Sequence, residues 1–299
     1  MITAYAHSKV NLYLGVGDAR EDGYHELETV FQSLSLKDRL EITPVAGDPG
    51  TVQSFNVTGL GAASVPTTPD NLVWRAIDLM ATRAQLPAVD VHLHKGIPTA
   101  GGMAGGSADA AAALRAMNTY AGLEEAELLD IAAQLGSDVP FTLLGGTMLG
   151  TGRGENLVPV LSRGSYHWAL AFNSAGLSTP KVFHTLDAMR DAKPDMPRAT
   201  GSNELAAALL TGDPKQVAPH LANDLQAPAL SLMPALRKTI HSGEQAGALR
   251  GIVSGSGPTV AFLCESAEHA AEVADYVLDA GVATATTVAQ GPAAGAHVD

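Results

Sequence analysis

Residues 98–114 read PTAGGMAGGSADAAAAL, where glycine pairs at 101–102 and 105–106 leave the backbone bare before alanine takes over at helix-forming density. The stretch follows VDVHLHK, in which Val89, Val91 and Leu93 share one face of a strand and Asp90, His92 and His94 the other. The order is therefore strand, glycine loop, helix. A helix start presents unpaired N–H groups and the positive end of its dipole, and glycines let the preceding backbone curl around an anion. Glycine clustering by itself fits a flexible connection or a close helix-to-sheet contact as well as it fits a phosphate cradle.

Composition narrows the classes open to the chain. At 299 residues it can form one large domain or two ordinary ones, and 46% hydrophobic with 16% charged residues is a globular balance. A formal charge of −13 with no basic run argues against nucleic acid, so an anionic small substrate would need cations or amides gathered locally. Cys264, the single cysteine, lies in the apolar run VAFLC and reads as a buried small hydrophobe in a reducing compartment. MITAYAHSKVNLYLGV lacks the layout of a signal peptide, and no uncharged apolar stretch reaches membrane-spanning length, so a cytoplasmic protein away from membranes is expected.

Alternation predicts strands in KVNLYLGV, RLEITPV and VDVHLHK, and a helix from Leu72 towards Leu86 with Asp70 as its cap. A helix from Ser107 should close at Gly122, and a second, from Glu124, at Gly136. An expected boundary near Gly154 separates residues 1–154 from 155–299. Beyond it, YHWALAF reads as a strand, RGIVSGSGPTVAFLC as two strands around a glycine turn, SAEHAAEVADYVLDAG as a helix and ATATTVAQ as a last strand. Helices are expected around 180–189, 201–210 and 234–242, and the tail GPAAGAHVD is expected to fray.

Two familiar phosphate cradles fail on spacing. Gly101 and Gly106 are separated as in a Walker A loop, but Ser107 and Ala108 stand where Lys and Ser/Thr are required. A dinucleotide fingerprint needs a second parallel strand, and two helices follow instead. The stretch PTAGGMAGGSADAA resembles the phosphate loop of the GHMP kinases, and SGSGPTVAFL resembles their C-terminal glycine motif. SKVNLYLGVGDAREDGYHELETVFQSLSL, LGSDVPF and NDLQAPAL are similar to one branch, the 4-diphosphocytidyl-2-C-methyl-D-erythritol kinase family. The resemblance implies an α+β, two-domain GHMP kinase fold, with an N-terminal ribosomal-protein-S5-like domain and a C-terminal ferredoxin-like α/β sandwich. It also implies ATP and Mg2+ as cofactors, the cytidyl alcohol as small-molecule substrate, and a monomer or weak homodimer. Departures are His7-Ser8 where the family has a small pair such as Pro-Ala, and the run from Met103 to Gly106.

Site residues follow from the motifs. Asp138 in GSDVP reads locally as an N-cap, but it matches the family's catalytic aspartate and is expected to accept the proton of the acceptor hydroxyl. Lys9 lies among apolar strand neighbours, a costly place for an ammonium that meets no anion. It matches the catalytic lysine and is expected to pair with Asp138, with Asn11 on the same strand face reaching the acceptor's hydroxyls. Tyr24 and His25 read locally as a hairpin. The resemblance assigns them to a cytidine site, with Phe31 as an apolar wall and Thr179, Pro180 and Phe183 beside it. Pro98, Ala100, Gly101, Gly102, Met103, Ala104, Gly105, Gly106 and Ser107 should hold ATP phosphates, with the Ser107 hydroxyl a candidate contact to Mg2+. Asn71 and Lys95 match positions near the nucleotide, although a helix start and a solvated strand end would also explain them. Gly255 and Gly257 should let the C-terminal loop approach the substrate.

Overall fold

A computed structural model describes residues 1–20, 23–99 and 101–299. Its first half runs β1 (Ile2–Ala19), β2 (His25–Val45), β3 (Val52–Gly59), α1 (Leu72–Ala81), β4 (Ala88–Lys95), α2 (Gly105–Ala121), α3 (Glu125–Leu135) and α4 (Val139–Leu144), then β5 (Thr147–Gly152) and β6 (Asn156–Pro159). The second half contributes β7 (Tyr166–Phe172), α5 (Thr179–Ala192), α6 (Ser202–Leu209), α7 (Pro214–Val217), β8 (Ala222–Asn223), α8 (Gln226–Leu232) and α9 (Ala235–Gln245). It ends with β9 (Arg250–Val253), β10 (Val260–Cys264), α10 (Ala267–Asp279), β11 (Ala285–Gly291) and β12 (His297–Val298).

Two sheets organise these elements. The first has the order β12-β1-β2-β4-β3, with β5 also on β2, β6 on β5 and β8 on β1. β4 is antiparallel to β2 and parallel to β3. The alternation read in VDVHLHK holds, with Val89, Val91 and Leu93 buried in the core that α1 and α2 cover. The second sheet, β11-β7-β10-β9, is antiparallel throughout, and α9 and α10 pack on it through Phe262, Val273 and Val277. Among the described residues no helix is long and apolar enough to cross a membrane.

Several expectations shift by a residue or more. The cap of α1 is Asn71, whose Oδ1 accepts from Val73 N at 2.8 Å, rather than Asp70. That helix stops at Ala81, where Thr82 donates its N–H to Leu79 O and Met80 O and its hydroxyl to Leu79 O; Leu86 then reaches the core from the connection. α2 begins at Gly105, two residues before Ser107, and α3 opens on a reciprocal Glu124–Glu127 capping box. Gly154 lies in the β5–β6 hairpin, so the first sheet runs on to Pro159, and β8 and β12 return to it from the second half.

The tail does not fray. β12 pairs with β1, and backbone bonds run from Gly146 N to Ala293 O, Ala296 N to Thr142 O and Asp299 N to Thr3 O, at 2.9 to 3.1 Å. The Arg115 guanidinium donates to Ala296 O at 3.0 Å. These partners come from distant segments, which is why local composition misled. A chain ending at Gly291 is expected to lose about 3–5 kcal/mol of stability, at about 1 kcal/mol net per hydrogen bond. Urea unfolding followed by circular dichroism measures this, and an unchanged midpoint would show the tail to be dispensable.

Candidate active site

A cleft of about 1670 Å3 is lined from both halves of the chain by β1, the loop after β4, the start of α4, the first turns of α5 and the β9–β10 loop. The phosphate loop lies along it. Ala104 holds a left-handed backbone, φ 57°, as the N-cap of α2, and Ala108 N is bonded to its carbonyl at 2.8 Å. The amides of Gly105, Gly106 and Ser107 precede that first helical bond and no side chain caps them. Among the described residues they have no hydrogen-bond partner, which suits them to take an anion. Ala100 lies outside the described residues.

The two glycine motifs touch. A Cβ on Gly102, at φ +73°, would stand 2.1 Å from the carbonyl oxygen of Ser254, and the Ser254 hydroxyl donates to Gly102 O at 3.0 Å. On the same loop a Cβ on Gly255 would come 3.1 Å from Lys9 Nζ. Glycine is thus required where backbone closes over the phosphate loop and the lysine.

Lys9 is buried, and its Nζ donates to Asn11 Oδ1 at 2.6 Å. Asn11 Nδ2 donates to Thr29 Oγ1 at 2.9 Å, and Thr29 in turn donates to Tyr13 O. The Asn11 amide is therefore engaged in holding the lysine. Burial pulls the Lys9 pKa below the ordinary lysine value, and the charge of Asp138 pushes back. The expected direct pair does not form: no contact within 4.0 Å joins the two in this structure. Asp138 lines the cleft half-buried, and its side chain does not cap α4.

Lys95 is no solvated strand end. Its Nζ bridges Asp38 and Asp109, the latter at 2.7 Å, with all three side chains buried. Asp38 Oδ1 also accepts from Gly96 N at 2.6 Å and Ile97 N at 2.8 Å, which pins the strand end to the loop that follows. Burial and the neighbouring Asp38 lift the Asp109 pKa well above the carboxylate range despite Lys95, and the two carboxylates outweigh burial in raising Lys95. Asn71, besides capping α1, donates to Pro66 O at 2.7 Å. Neither Asp38 nor Asp109 was marked by the sequence, since nothing local relates residue 38 to residue 95.

At the other end of the cleft, Tyr24 is 55% exposed with the Arg153 guanidinium 5.4 Å from its ring centroid. His25 is buried, lies 5.1 Å from the Phe183 ring and meets Asp187 Oδ1 through Nε2 at 2.8 Å. Thr179 and Pro180 are exposed at the start of α5, and Thr179 Oγ1 bonds to Ser256 Oγ at 2.8 Å. Phe31 lines the cleft, stacks on Phe141 at 4.8 Å and lies 5.9 Å from Lys9 Nζ. Gly257 is buried in the β9–β10 loop. Asp187 and Arg153 were missed by sequence reading. Among the described residues no group of three or more His, Cys, Asp or Glu is arranged to hold a metal.

Family models match in the same order as the motifs: GHMP kinases N terminal domain over residues 71–146 and GHMP kinases C terminal over residues 205–283. A Corynebacterium diphtheriae protein named 4-diphosphocytidyl-2-C-methyl-D-erythritol kinase is 58% identical over 99% of this chain and 97% of its own. One of the same name from Nocardia farcinica is 56% identical, over 98% and 94%. A crystal structure of 4-(cytidine 5'-diphospho)-2C-methyl-D-erythritol kinase superposes with a TM-score of 0.79 at 31% identity, covering 97% of this chain and 99% of that one.

The buried Lys95 cluster predicts that Lys95→Met, which removes the cation between Asp38 and Asp109, costs roughly 3–5 kcal/mol of stability. Equilibrium unfolding in urea checks it, and a loss below about 1 kcal/mol, the value of an exposed pair, would contradict the buried assignment.

Proposed function

The chain belongs to the GHMP kinases, within the 4-diphosphocytidyl-2-C-methyl-D-erythritol kinase family, and on that premise we propose how its cleft works. It transfers the γ-phosphoryl group of ATP to the 2-hydroxyl of 4-diphosphocytidyl-2-C-methyl-D-erythritol, in the non-mevalonate route to isoprenoids. The products are the 2-phosphate and ADP.

The observation that carries this reading is a buried ammonium, Lys9, sharing one cleft with an uncapped helix start and the Asp138 carboxylate. At about 1670 Å3 the cleft exceeds the ~300–1,000 Å3 of a single small-molecule site, which suits two substrates held together. The amides of Gly105, Gly106 and Ser107 hold the phosphates of ATP. Asp138 accepts the proton of the acceptor hydroxyl, and Lys9, steadied by Asn11, stabilises the charge that spreads over the transferring group. Tyr24, His25 and Phe183 take the cytosine ring of the acceptor. Homoserine or mevalonate would leave these rings with nothing to stack on.

Magnesium is part of the proposal. The Ser107 hydroxyl, in the first turn of α2, suits an ion that arrives on ATP phosphates and takes only one or two protein ligands. Bound there, the ion would neutralise phosphate charge. A monomer suffices, since one chain lines the cleft from both halves.

Asp138→Asn is expected to lower kcat by about 100-fold or more while ATP binding is kept, within the range for loss of a general base. ADP release and nucleotide titration measure the two; a fall of less than about tenfold would remove Asp138 from the proton path. Tyr24→Ala is expected to raise KM for the cytidyl alcohol about tenfold or more and to leave KM for ATP alone, as loss of a stacking partner should. Because burial lowers the Lys9 pKa, kcat/KM should fall on the alkaline side before the ~10.4 of a free lysine is reached. A profile flat through that region would argue against a charged Lys9.

A further inference from the structure

His25 and Asp187 are 162 positions apart in sequence, yet His25 Nε2 lies 2.8 Å from Asp187 Oδ1, with the imidazole only 6% exposed. Asp187 stands one helical turn beyond Phe183 and two beyond Thr179, so α5 presents all three on one face, and all three line the cleft with His25. His25 is the sole hydrogen-bond partner of the Asp187 side chain among the described residues. Nor does His25 Nδ1 have a hydrogen-bond partner there. Any hydrogen bond that this ring offers a ligand therefore passes through Nδ1.

We propose that Asp187 is a positioning residue that makes the cleft choose cytosine over uracil, an inference that rests on the cytidine reading of this end of the cleft. A carboxylate can only accept, so it fixes the proton of the neutral imidazole on Nε2 and leaves Nδ1 as an acceptor. Cytosine carries an amino donor at its 4-position, and uracil carries a carbonyl there. The first meets Nδ1 as donor to acceptor. The second sets two acceptors against each other, and a hydrogen bond left unmade between bound polar groups is costly. Stacking on Tyr24 or Phe183 cannot make this distinction, because both bases present similar faces. The discrimination thus lies in one proton, and Asp187 decides where it sits.

The test compares kcat/KM for the cytidyl alcohol and for its uridyl analogue. The unaltered enzyme should prefer the cytidyl compound by about 100-fold or more, in keeping with sites that reject a mismatched hydrogen-bonding group. In Asp187→Asn the amide can donate to Nε2 and admit the other tautomer, so the preference should shrink at least tenfold, with kcat/KM for the uridyl compound rising. Asp187→Glu, which keeps a carboxylate, should retain most of the preference. An equal fall for both compounds in Asp187→Asn would reduce Asp187 to a fastener between α5 and β2 and overturn the proposal. Nitrogen-15 NMR of His25 in the unaltered protein, at a pH where the ring is neutral, needs no variant: a proton on Nε2 supports the proposal, and one on Nδ1 overturns it. If the unaltered enzyme turns over neither compound, the proposed function fails. If it turns over both equally, the kinase reading stands and the selectivity inference falls.

Discussion

Backbone meets backbone where Gly102 lies against Ser254, and the rest of the site is arranged around that contact. The gap admits no side chain, because a Cβ on Gly102 would stand 2.1 Å from a carbonyl oxygen that cannot move without moving the β9–β10 loop. Closing it brings Gly255 against Lys9 and lets Ser256 reach Thr179 at the start of α5. A loop from each half of the chain thus forms one wall. The ammonium beneath it loses water, and the loss lowers its pKa and strengthens its pull on any phosphate that arrives.

Charge is handled differently at the two buried lysines. Lys95 is bridged by two carboxyl groups and serves the framework, tying the end of β4 to α2 on either side of the phosphate loop. Among the described residues Lys9 has only a neutral amide within hydrogen-bond reach, with Asp138 acting on it through space. An incompletely compensated cation in a dry cleft is costly in the free protein and favourable once an anion binds. In a chain of net charge −13, that local imbalance is what draws an anionic ligand.

Much of this was legible in the sequence, and the reason is locality. Alternation in VDVHLHK, the glycine closures at 122 and 136 and the strand-loop-helix order depend on residues a few positions apart, so they could be read directly. Lys9 could be marked too, because an ammonium among Val10, Leu12 and Leu14 is conspicuous in one strand. Asp38, Asp109 and Asp187 could not, since each acquires its role from a partner brought near by the sheet or by α5. The tail misled for the same reason: GPAAGAHVD looks like frayed chain until Thr3, Thr142 and Arg115 stand beside it.

The NDLQ segment, similar to the family yet without an expected role, shows how such distant partners are kept in register. Asn223 donates to Val253 O at 2.8 Å and Gly255 O at 2.7 Å while its own carbonyl accepts from Leu225 N, so a single amide holds the β9–β10 loop in shape. The same residue pairs with Leu14 of β1. Next to it, Asp224 accepts from Val16 N and Ala199 N and meets the Arg190 guanidinium at 3.0 Å, which ties β1 to α5. β1 carries Lys9, the loop carries Gly255, and α5 carries Phe183 and Asp187. Two adjacent residues outside the reaction therefore set the spacing between the lysine, the loop that covers it and the helix beside the imidazole. A change there would reach the chemistry by moving these elements relative to one another, without removing any group that touches the substrate.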